Sequence, residues 1–90
     1  MVVDYKKRSN GHLAESILHL GTGLQKNHST IEKLVDAIVL RLLIEELEKR
    51  NPMQDSYSTT AVAVRPYLPI MKDRVNVFIE RAVKQVKRGA

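Results

Sequence analysis

Apolar and polar positions alternate with helical spacing over most of this chain, and one segment breaks the pattern by being apolar almost throughout. In Leu34–Ile44, LVDAIVLRLLI, nine of eleven positions are apolar and only Asp36 and Arg41 interrupt them. At 100° per residue those side chains point in every direction, and a helix that is apolar all round needs cover on all sides. The remaining elements read as material packed against this segment or standing in water beside it.

The first helix is expected to begin near Ser9 or Asn10, either of which can cap it, and to run to about Leu20 or Lys26. Leu13, Ile17, Leu20 and Leu24 recur at i, i+4, i+7 and i+11, and Leu18 widens the face. Gly21 and Gly23 weaken its last turns. Ser29-Thr30-Ile31-Glu32 is a capping box that opens the second helix, expected from Thr30 to about Arg50, where Asn51-Pro52 stops it. Its second half is amphipathic, with Glu45–Lys49 and Glu46–Arg50 as i,i+4 pairs and Arg41 within the same reach of Glu45.

Residues 51–68 are less regular. Thr59–Val64, TTAVAV, reads as a short strand by its β-branching or as one or two helical turns begun by Asp55 or Ser56, and helix or irregular structure is the preferred reading. Pro66 and Pro69 bracket a turn, and Pro69 stands where a first helical residue tolerates proline. The last helix, Ile70 to about Lys87, carries an apolar stripe of Met71, Val75, Phe78, Ala82 and Val86, widened by Ile79. The fold class is therefore all-α, with room for one short strand over 59–64. The chain reads as a small three-helix domain around a buried central helix 30–50, with residues 1–9 as a basic arm and 10–90 as a single helical domain.

Ninety residues bury only a modest core, so two flanking helices cover two sides of the apolar segment. A homodimer supplies the missing side, with Ile38, Leu42, Val75 and Phe78 as the expected interface and Asp36 and Arg41 at it or its rim. The alternative is that residues 51–68 fold over the segment within a monomer.

Charge adds a layout. The net +5 divides into +2 over residues 1–10, zero over 11–28, −1 over 29–50, zero over 51–68 and +4 over 69–90. Arg74, Arg81 and Arg88 fall at i, i+7 and i+14 on the last helix, with Lys84 beside them, and Lys6, Lys7 and Arg8 stand in the arm. Cations one or two turns apart can follow phosphates, each contact adding salt-dependent affinity; a solvated face is the plain structural alternative. Four scattered aromatic rings and no tryptophan make a poor stacking platform, so duplex backbone contact suits the chain better than single strands.

Specific DNA-binding motifs fit poorly. A helix-turn-helix with Gly21 at the turn puts bulky Ile17 where a small residue belongs, and the following helix is too apolar to lie in a groove. A ribbon-helix-helix (strand Thr60–Arg65, helix from Pro69) runs out of chain, whereas a winged helix with residues 57–64 as its wing stays open on the condition that Thr30–Arg50 exposes one end. His12, Glu15 and His19 share a helix face, but two turns separate the imidazoles by about 10 Å, too far for one ion. Gly21-Thr22-Gly23 with Lys26 lacks the spacing of a phosphate loop.

With no cysteine, no paired carboxylates in an acid/base arrangement and no nucleophile elbow, no enzyme, metal or cofactor is expected. No apolar run is long enough for a signal or a membrane span, which points to a soluble cytoplasmic protein. The leading expectation is a small basic regulator that binds nucleic acid, duplex DNA before RNA, or associates with nucleoprotein as a dimer. The second is a helical interaction module, an adaptor or regulator that takes an acidic protein partner.

Overall fold

The computed structural model describes residues 5–26, 30–55 and 58–89, and side chains within 6–24, 33–55 and 58–88. A 3-10 turn, Tyr5–Lys7, leads into α1 (Asn10–Lys26). Then come α2 (Thr30–Lys49), a second 3-10 turn at Pro52–Asp55 and a short helix, α3 (Thr59–Val64). A third 3-10 turn, Arg65–Tyr67, passes into α4 (Leu68–Gly89). The capping box at Ser29–Glu32 lies outside the described side chains.

Ser9 starts α1: its side-chain oxygen accepts from the His12 amide at 3.2 Å and its carbonyl from the Leu13 amide. No strand forms among the described residues, and the one allowed for over 59–64 is helix instead. The reason is local. Ser58 is extended and its hydroxyl accepts from the Ala61 amide at 3.1 Å, so an N-cap overrides the β-branched composition of TTAVAV. This removes both the ribbon and the wing considered above.

α2 packs against both α1 and α4, which have few contacts with each other. Leu13, Ala14 and Ile17 of α1 meet Ala37, Leu40, Leu43, Ile44 and Leu47 of α2 in one core cluster. Ala61, Val64, Leu68 and Val75 complete it. Truncating a fully buried member such as Ile44 to alanine removes packing worth about 2–5 kcal/mol.

The core uses one arc of α2 and leaves another in water. Val35 is 52% exposed, Ile38 38% and Leu42 39%, so a single chain does not cover this helix on every side. Of two further residues expected at a dimer interface, Val75 is 5% exposed in the core and Phe78 is half-buried against it, both also lining a groove described below. The last turns of α4 stand clear of the packing, which leaves Val86 exposed.

The end of α2 is held by a polar clasp. Arg65 donates to both Asp55 carboxylate oxygens, at 2.5 and 2.9 Å, and to the Leu47 carbonyl in the last turn of α2 at 2.9 Å. Asn10 donates to Asp55 at 2.6 Å. Arg50 donates to Glu46 at 3.0 Å, to the Lys6 carbonyl at 2.8 Å and to the Arg8 carbonyl, which binds the N-terminal segment to the same corner. Glu46–Arg50 pairs as the spacing predicts. Lys49 instead reaches Glu46 at 3.2 Å, while Glu45 takes Arg41 at 3.7 Å.

Hydrogen bonding from Arg65 lowers the Asp55 pKa below its ordinary value; burial opposes this and Asn10 adds to it. Burial pushes Glu46 upward, but hydrogen bonds from Arg50 and Lys49 and their charges outweigh it, so its pKa is also lowered. A carboxyl lowered on folding contributes stability above its unfolded pKa and loses it as pH falls through the folded value. The urea midpoint should therefore hold near neutrality and decline below about pH 4, and Asp55→Asn should flatten that acid limb. Asp55→Ala strands Arg65 and should cost about 3 kcal/mol at pH 7 by urea titration. Gly21→Ala should raise stability by about 0.8–1 kcal/mol, because a methyl there meets nothing within 4 Å and the helix gains propensity.

Candidate functional site

The basic edge of α4 is the first candidate. Arg74, Arg81, Lys84 and Arg88 all lie on α4 and are exposed. None has an ion pair or hydrogen bond among the described residues, whereas Lys72 on the same helix reaches Glu48 at 3.5 Å. From Arg74 to Arg88 is fourteen residues, about 21 Å of helix axis. The amphipathic register produces this edge: Leu68, Val75 and Ala82 face the core, and the arginines fall along one flank of that stripe.

Lys6, Lys7 and Arg8, expected to bind nucleic acid together with the α4 cations, lie in the segment before α1 and are exposed. Arg50 ties the carbonyls of Lys6 and Arg8 to the end of α2. Lys6 borders a shallow depression with Glu45, Glu46, Glu48, Lys49 and Lys72, a surface of mixed charge. The Arg8 guanidinium donates to Ser16 on α1 at 3.3 Å. Lys6 to Arg8 are thus fastened to the end of α2, and Lys6 shares its depression with Lys72 of α4.

The second candidate is the bare face of α2. Val35, Ile38 and Leu42 follow one another at i, i+3 and i+7 and make an apolar stripe pointing away from the core. Arg41 is partly exposed and paired with Glu45 beside this stripe, and Asp36 is half-buried.

Sequence reasoning missed a third surface. A groove of about 380 Å³ runs between α1 and α4, with Leu40 of α2 among its lining residues. Leu18, Gly21 and Thr22 border it on α1, and Met71, Phe78 and Arg74 on α4. The signal for it was Gly21 inside a helical pattern next to exposed Leu18, which reads from sequence only as helix weakening.

His12, Glu15 and His19 are all exposed, and no group of three metal-binding side chains comes together among the described residues. No helix among them is long and apolar enough to cross a membrane. Comparison of the chain with protein-family models, with curated proteins and with solved structures finds no match to any of them.

Proposed function

We propose that this chain is a small basic protein that binds nucleic acid, duplex DNA in preference to RNA, and acts as a homodimer. The observation that carries the reading is the set of four exposed cations on α4 that have no ion pair among the described residues. An exposed guanidinium with no carboxylate partner keeps its full charge for phosphate and pays no cost of breaking an ion pair. Contacts of this kind position a protein on the backbone without reading bases, so affinity is set by salt far more than by sequence.

Dimerisation accounts for the bare face of α2. The stripe Val35–Ile38–Leu42 can meet the same stripe of a second chain across a two-fold axis. Two copies of the α4 edge then double the phosphate contacts, and counterion release makes the salt dependence steeper in proportion.

The helical interaction module is the second reading, favoured by the amount of apolar surface that one chain leaves in water.

Two measurements test the leading proposal. Binding to a generic DNA duplex by fluorescence anisotropy should weaken linearly in log–log form with salt. Arg81→Gln or Lys84→Gln should lower that slope by about one unit each, equally on unrelated sequences. Absence of duplex binding at low salt refutes the reading. In sedimentation velocity, Ile38→Glu and Leu42→Glu should convert a dimer to a folded monomer, since both positions are already solvent-accessible in one chain. A wild-type protein that sediments as a monomer at tens of micromolar, roughly −6 kcal/mol of association or weaker, removes the dimer.

A further inference from the structure

The geometry points to the groove between α1 and α4 as a docking site for an amphipathic helix with an acidic flank, contributed by a partner protein. This goes beyond nucleic-acid binding and does not depend on it.

The groove has the place of a missing helix. α1 and α4 both pack on α2 but hardly on each other. The Asn10 side chain meets Arg50 at the C-terminal end of α2, and Lys72 near the start of α4 meets Glu48 at that same end. Both flanking helices therefore run antiparallel to α2 and in the same sense as each other. A helix laid between them, opposite α2, occupies the fourth position of an antiparallel bundle. The chain's own short helix uses only part of that side. At Gly11, a methyl would meet Ser58 at the start of α3 at 3.0 Å; at Gly21, ten residues further along α1, a methyl meets nothing within 4 Å.

The walls suit a helix face. Met71, Val75 and Phe78 step along α4 at i, i+4 and i+7, opposite Leu18 on α1, with Leu40 between them. Such a surface accepts side chains at i, i+3, i+4 and i+7 of a guest. Gly21 lets the guest approach the α1 backbone closely.

Charge selects the guest's chemistry. Arg74 is the one ionisable side chain lining the groove among the described residues. Arg81 stands two turns further along α4, on the same flank. A guest whose glutamates follow its apolar face on that side meets both arginines, and a basic guest is repelled by them.

Gly21→Leu separates docking from folding, because it fills the groove from a position with open space around it. The probe is a fluorescent synthetic peptide about five turns long, with leucines at helical spacing and glutamates on one flank. Its twin carries lysines in place of the glutamates. The glutamate peptide should bind wild-type protein in the micromolar range, and the lysine peptide about tenfold or more weaker. Gly21→Leu should weaken the glutamate peptide about tenfold or more without lowering the melting temperature, and Arg74→Glu should reverse the preference between the two peptides. No binding of the glutamate peptide, equal binding of both, or undiminished binding to folded Gly21→Leu overturns the proposal. So does loss of peptide binding in Ile38→Glu in place of Gly21→Leu, which would move the guest to the α2 face. If Gly21→Leu abolishes duplex binding and leaves the peptide unaffected, the groove belongs to nucleic acid.

Discussion

The end of α2 depends on one buried ion pair, Asp55 with Arg65. The last turn of a helix leaves carbonyls without partners, and here the Leu47 carbonyl accepts from the same guanidinium that grips Asp55. Asp55 is 3% exposed, so its charge is tolerable only because two donors surround it. Through this pair the chain reverses from α2 into α3 and then α4, and Asn10 brings the start of α1 to the same corner. Arg50 completes the arrangement by tying the segment before α1 to the end of α2. Four polar side chains from four stretches of sequence therefore fix how the helices meet at that end. Apolar packing alone would tolerate several registers there, whereas fork-shaped donors on a carboxylate tolerate few.

What that corner fixes, it also limits. α1 and α4 are both held against one arc of α2. The surplus of α2 remains outside, at Val35, Ile38 and Leu42. The all-round apolar character of the segment was therefore a true statement about composition and an overestimate of coverage by a single chain. Ninety residues have too little surface-covering material for a helix that is apolar on every side. The uncovered surface has to meet something else or remain in water at a cost in solubility.

The helices were legible because they rest on local signals: apolar spacing in α1 and α4, Ser9 ahead of α1, and Asn51-Pro52 after α2. The strand alternative at Thr59–Val64 arose from composition, and one cap hydrogen bond from Ser58 decides against it. The clasp was not legible, since Asn10 and Asp55 are 45 residues apart and nothing in either neighbourhood names the other. The same limit applies to the surfaces. The arginine edge of α4 could be read from spacing, because it depends on one helix. That Arg74 borders a groove, and that Lys6 shares a depression with Glu45, Glu48 and Lys72, depends on how separate helices pack.

The two uncovered apolar surfaces lie on opposite sides of α2. Leu40, beneath the groove, and Leu42, on the bare face, are two residues apart, which turns one about 200° from the other around the helix. A dimer joined through the bare face therefore has its two grooves pointing outward, away from the contact. Each groove keeps its own Arg74 and its own stretch of the α4 edge. Occupying one surface does not obstruct the other, so self-association and docking are compatible in a single assembly. A partner carrying two acidic helices could then engage both grooves, with the second contact favoured by effective concentration rather than by any new surface. A monomer would offer the same groove singly, so in the proposed assembly a difference in valency is what self-association through the bare face of α2 would add to docking.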